Sequence, residues 1–164
     1  MNGLTFEDSI LVRDTPDALF ALMQDYGRRL EWDPFLRSAR LVGGATEAGL
    51  GVRAYCVAHN RLGMETEYVS FTPPKVAAVK MTRGPWFIGG FAGSWRFQPE
   101  AHGRTRVVLR YSVRVRPRWL QPLLNPVLVR VFGREVRRRL EGLRSFVEGR
   151  RADRSPQRNG PHAE

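Results

Sequence analysis

Residues 105–147 constrain the fold most, because the hydrophobic period changes once within them. In TRVVLRYSVRVR (105–116), Val107, Leu109, Tyr111, Val113 and Val115 alternate with Arg106, Arg110, Arg114 and Arg116. A period of two puts the first set on one face of a strand and the arginines on the other. From Trp119 the spacing becomes three or four. Leu128, Phe132, Val136, Leu140, Leu143 and Val147 then form one apolar stripe along a long terminal helix. Arg130, Arg134, Arg137, Arg138 and Arg144 fall on its other sides, and Pro122 and Pro126 predict a firm start at about residue 123 or 126.

The preceding chain is read as strand, two short helices, then a run of strands. Residues 4–13 alternate loosely and end at Asp14-Thr15-Pro16-Asp17, which supplies a capping side chain, a first-turn proline and an acid. Ala18, Leu19, Leu22 and Met23 recur at helical spacing, and a second short helical piece is expected around Tyr26 to Leu30. Segments 38–42, 51–58, 64–71, 75–82 and 86–97 read as strands, separated by turn chemistry such as Thr72-Pro73-Pro74 and Arg83-Gly84-Pro85. The expectation is one α+β domain over residues 1–149, a curved antiparallel sheet wrapped around the long C-terminal helix. Residues 150–164, polar and proline-bearing, read as a disordered basic tail.

Composition removes several function classes. One cysteine, Cys56, allows no internal disulfide and no cysteine metal cluster, and His59, His102 and His162 lie far apart. No metal and no cofactor is therefore expected. No apolar run reaches the ~18 residues of a membrane span, and the acidic start lacks a signal design; a cytoplasmic protein is expected. The formal net charge of +11 invites a nucleic-acid reading. Stacking on bases, however, needs aromatics interleaved with the charges on an exposed face, and here the aromatics take the inward parity. A peripheral contact with anionic membrane fits better, since Arg116-Pro117-Arg118-Trp119-Leu120 and Leu123-Leu124 mix arginines with interfacial apolar groups. The pattern fixes no oligomeric state.

A single sheet closing on one helix is prone to leave space between them, and Gly89, Gly90, Ala92 and Gly93 are small positions at which a strand can bend. At this point the chain resembles the SRPBCC, or START-like, superfamily, particularly its polyketide cyclase/dehydrase and lipid-transport branch. The matching residues are Arg13-Asp14-Thr15-Pro16-Asp17 with Leu19-Phe20, and Trp32-Asp33-Pro34-Phe35 leading to Gly43-Gly44. Val69-Ser70-Phe71-Thr72-Pro73-Pro74, Gly93-Ser94-Trp95-Arg96-Phe97 and Gly103 to Val107 follow, with Leu140, Leu143 and Phe146 on the terminal helix. The resemblance implies a helix-grip fold and a cavity for an apolar molecule, in a family of carriers, sensors and polyketide cyclases. It transfers no catalytic residue by motif.

The candidate ligand-binding residues are Trp32, Phe35, Glu67, Phe91, Trp95, Tyr111, Leu128 and Phe132. Trp32 is read as cavity lining and Phe35 more as packing. Phe87, Phe91, Trp95 and Phe97 share one parity with the inward face of the last strand if no bulge intervenes. Tyr111 is the central polar group. For strand 64–71 two parities stay open: one turns Val69, Phe71, Glu65 and Glu67 inward, the other buries Met64 and Tyr68. Glu65 is read as exposed; Glu67 is kept as a candidate acid, because a carboxylate in an apolar cavity would have a raised pKa. The expected function is binding of a lipid, isoprenoid or polyketide-like molecule. A polyketide cyclase, aromatase or dehydrase is the enzymatic alternative, and an arginine-faced membrane or macromolecule module the third. Two polar groups converging in the cavity would favour the enzyme.

Overall fold

A computed structural model describes residues 3–154. The chain runs β1 (Leu4–Val12), α1 (Pro16–Gln24), α2 (Arg29–Trp32), β2 (Leu36–Val42), β3 (Arg53–Ala58) and β4 (Gly63–Thr72). It continues through β5 (Val76–Arg83), β6 (Ile88–Glu100), β7 (Arg104–Val115), a 3₁₀ turn at Arg118–Leu120 and α3 (Gln121–Arg154). All neighbours are antiparallel, and the seven-stranded sheet has the order β1-β7-β6-β5-β4-β3-β2. This is the helix-grip arrangement expected from the sequence.

The one non-consecutive pairing, β1 with β7, arises because the two short helices carry the chain from β1 to β2 at the opposite edge of the sheet. Thr15 caps α1 by accepting from the Ala18 N–H at 3.2 Å, and Pro16 stands at the first helical position where its missing N–H costs nothing. Leu19, Phe20 and Met23 of α1 turn inward, and Phe20 meets Phe71 and Phe97 edge-on at 5.3 and 5.6 Å. The main core joins these to Val107, Leu109 and Tyr111 of β7 and to Val136, Leu140, Leu143 and Val147 of α3. The helix packs on β1, β7 and α2. Strands β3 to β5 lie further round the curve, and a gap stays open between them and the helix.

Four expectations shift. The second helix sits at Arg29–Trp32, later than Tyr26–Leu30. α3 starts at Gln121 and continues through Pro126, whose lost hydrogen bond falls only in its second turn. It then runs to Arg154, so the tail does not begin at residue 150; residues 155–164 lie outside the described residues. Finally, bulges interrupt the parity of β4 between Tyr68 and Ser70 and of β6 between Ile88 and Gly90.

Candidate functional site

The gap is a cavity of about 360 Å³. Its wall is largely apolar, with Phe87, Ile88, Phe91 and Trp95 from β6 and its approach facing Leu124, Leu128 and Phe132 of α3. Gly93 leaves room there: a Cβ at this position would stand 3.0 Å from the ring of Tyr111, its cross-strand partner, which would have to give by a few tenths of an ångström. Toward one end the lining residues reach solvent, Leu62 after β3 and Val127 and Val131 on α3 being 44%, 55% and 41% exposed. This is the mouth. Trp86, Trp119 and Leu123 stand exposed on the adjoining segments, and the stretch from Ala101 to Arg134 contains no acidic residue.

The opposite end is polar and buried. Arg29, Tyr111 and Arg139 all line it, and Asp33 ties them together from behind. Asp33 Oδ2 accepts from Arg29 Nε at 3.0 Å and from Arg139 Nη2 at 2.5 Å, while Oδ1 accepts from the Phe35 backbone N–H at 3.2 Å. Arg29 Nη1 donates to the Met23 carbonyl at 2.8 Å, and Arg139 Nη1 donates to the Tyr111 hydroxyl. The Arg139 guanidinium also lies 5.2 to 5.8 Å from the Phe35, Tyr111 and Trp95 ring centroids, within cation–π range. Arg139 Nε is buried and has no hydrogen-bond partner among the described residues. A second, neutral group stands nearby: Tyr68 donates to Gln24 Oε1 at 2.6 Å and lies 3.0 Å from the Tyr26 hydroxyl.

The electrostatics follow from burial and pairing. Burial would raise the Asp33 pKa, but the two guanidiniums outweigh it and hold the carboxyl below its usual range. Burial likewise works against the charge on Arg139, but Asp33 and Tyr111 together outweigh it, so the pKa is raised. Tyr111 and Tyr68 are pushed up, chiefly by burial, and stay neutral. The inner end therefore holds two positive charges against one negative.

Of the candidates read from the sequence, Phe35, Phe91, Trp95, Tyr111, Leu128 and Phe132 line the cavity. Trp32 does not. It is 3% exposed, edge-on to Trp95 at 6.1 Å and beneath Arg29 at 4.6 Å, so the roles expected for Trp32 and Phe35 are exchanged. Glu67 does not line it either: Met64, Thr66 and Tyr68 take the inward parity, which turns Glu67 outward between Arg53 and Lys80 on the flanking strands. Glu65, read as exposed, pairs with Arg53 at 3.1 Å on that outer face. Pattern reading missed Arg29, Asp33 and Arg139. The signal for Arg139 was its place on the buried stripe, three residues after Val136 and four before Leu143. For Arg29 and Asp33 it was their i, i+4 spacing beside an inward tryptophan.

Among the described residues no helix is long and apolar enough to cross a membrane, and no three His, Cys, Asp or Glu side chains group as a metal site. No curated protein matches the chain. Among solved structures, TTHA0849 from Thermus thermophilus is 18% identical, with a TM-score of 0.75 over 90% of this chain and 99% of that one. The Zhui aromatase/cyclase from Streptomyces sp. R1128 is 18% identical, with a TM-score of 0.72 over 94% and 98%. A START superfamily protein from Mycobacterium smegmatis is 10% identical, with a TM-score of 0.73 over 90% and 99%. At these identities the likeness shows the fold alone. The sequence itself matches the family described as polyketide cyclase / dehydrase and lipid transport over residues 4–148, nearly the whole described chain, and the protein belongs to that family.

Proposed function

We propose that the protein binds a hydrophobic or amphipathic small molecule, such as a lipid, isoprenoid or polyketide-like compound, in the cavity between the sheet and α3. The observation that carries this reading is the cavity of about 360 Å³ with an apolar wall and one polar end. Burial of the ligand's apolar surface supplies the driving force, ~25 cal/mol per Å² before the costs of ordering. Native mass spectrometry of the protein as purified, with displacement of a bound neutral dye such as Nile red, tests it. A co-purified amphiphile, or saturable displacement by added lipids, supports the reading; a protein that carries nothing and takes up no apolar probe ends it.

The convergence of Tyr111, Arg29 and Arg139 also favours a second reading, a polyketide cyclase. Guanidinium and phenol donors could polarise a ketone and stabilise the enolate formed from it. General acid–base work needs a group that titrates near the working pH, and here Asp33 is held low while Tyr111 and Arg139 are held high. That mismatch places binding first. Turnover of a linear poly-β-ketone by the purified protein would reverse the order.

The mouth bears on how a ligand arrives. Exposed Trp86, Trp119, Leu123 and Val127 on segments rich in arginine and free of acids suit contact with an anionic membrane surface.

A further inference from the structure

We propose that the inner end of the cavity is an anion site, so that the ligand is an amphipathic monoanion, a carboxylic acid or an acidic enol or phenol, held head-inward. This rests on the reading of the cavity as a ligand site and adds the chemistry of the ligand's head.

The charge balance comes first. Arg29 and Arg139 are 8% and 7% exposed and share a single carboxylate, Asp33, which is 2% exposed. No other acidic side chain among the described residues lines the cavity. One positive charge is therefore left over in a wall of phenylalanine, leucine and tryptophan. A buried lysine or histidine would shed its proton in such a place; a guanidinium does not. The aromatic rings around Arg139 fix its plane and keep water off it, but they carry no compensating charge.

The free hydrogen-bonding valences point the same way. Each unmet buried donor is costly; Arg96 Nε and Trp32 Nε1 are also unmet, but neither residue lines the cavity. Here Arg139 Nε is buried and unmet, and Arg29, with Nε and Nη1 engaged by Asp33 and Met23, makes no bond from Nη2 to a described residue. The Tyr111 hydroxyl accepts from Arg139 and has its own proton left to give. The unfilled valences are all donors. A head that is acceptor-only and negative completes them, whereas an alcohol or amine brings a further proton with nowhere to go.

Shape completes the case. α3 rises about 1.5 Å per residue, so Val127 at the mouth lies ~18 Å along the axis from Arg139. Leu128 and Phe132, with Ile88 and Phe91 also in the wall, line the span between. An apolar chain fits that span with its head at the arginines.

The test compares three heads on one chain, dodecanoate, 1-dodecanol and methyl dodecanoate, each displacing Nile red from the purified protein at pH 7.5. The anion site predicts displacement by dodecanoate at a concentration at least tenfold below that for the alcohol or ester. R139Q, which leaves Arg29 and Asp33 balanced, brings the acid-to-alcohol ratio close to one. D33N, which leaves two positive charges, raises the ratio, a change that a merely structural role for the network would not produce. Equal displacement by the three heads on the wild-type protein overturns the anion site and leaves the ligand cavity standing. No displacement by any of them removes the ligand reading itself. The wild-type series decides even if a variant fails to fold.

Discussion

The two halves of α3 carry the same stripe and meet different surroundings. From Val136 to Val147 the helix is clamped: Val136, Leu140 and Leu143 are at most 1% exposed, with β1 and β7 on one side and α2 across it. From Leu123 to Val131 the helix is open: Leu123, Val127, Val129 and Val131 are 41–69% exposed, and Leu124, Val127, Leu128 and Val131 line the cavity. The clamped half closes the fold. The open half still packs in a smaller core, where Leu128, Leu124 and Phe132 meet Ile88, Val113 and Val115, but the side of it that faces the void lacks the dispersion contacts that make packing costly to disturb.

Truncation gives the largest difference between the halves. Leu140→Ala in the clamped half should cost about 2–5 kcal/mol in urea denaturation, the usual loss for a buried leucine. Leu128→Ala borders the cavity and should cost less than half as much, while weakening dye retention more. Equal costs would mean that the open half is packed as tightly as the other. Glycines make the next contrast. A Cβ at Gly142 would stand 2.6 Å from the Trp32 carbonyl oxygen and 2.8 Å from Pro34 Cδ, so Gly142→Ala should destabilise by about 1–3 kcal/mol. It would also push α3 away from the loop that delivers Asp33 to Arg139. A Cβ at Gly133 meets nothing, and Gly133→Ala should stabilise the helix by about 0.5–1 kcal/mol. The same substitution thus changes sign between the halves.

The order of elements, the inward face of β7 and the stripe of α3 were legible because each rests on an uninterrupted local period. β7 has no bulge, so Val107 to Val115 fell on the face their spacing implied. The site was less legible for two physical reasons. A bulge between Tyr68 and Ser70 lets Tyr68 and Phe71 both reach the core despite their odd spacing, which no count of alternation contains. That bulge separates Glu67 from the inward role its spacing from Phe71 had suggested. The second reason is that Arg29, Asp33 and Arg139 come from three places in the chain and are tolerable in the interior only together. Read singly, each looks like a solvated charge; what buries them is a tertiary pairing. Trp32 and Phe35 show the same limit on a smaller scale, since both turn inward and only the position of α2 against β6 decides which meets the cavity.

The clamped half also fixes a dependence on pH. Because the guanidiniums outweigh burial and hold the Asp33 carboxyl low, the unfolded chain takes up a proton there more readily than the folded one. The stabilisation is therefore complete above the ordinary carboxylate pKa of ~4 and is lost as the pH falls below it, through the lowered folded value. Melting temperatures measured from pH 7 down should fall more steeply for the wild type than for D33N. Parallel curves would remove Asp33 from the clamp.

The smallest effect on stability belongs to the rim, and it isolates what the open half does. Trp119 is 75% exposed and packs on little, so Trp119→Ser should change stability by no more than about 0.5 kcal/mol. If the mouth meets membrane, the same substitution should reduce cosedimentation with vesicles containing phosphatidylserine, because an indole at the headgroup level is an interfacial anchor. Raising salt should weaken binding further by screening the arginines, while the indole's contribution persists. Vesicle binding that salt abolishes and Trp119→Ser leaves unchanged would assign the contact to the arginine surface in general. The mouth would then have no special claim to the membrane, and its exposed apolar rim would need an occupant of another kind.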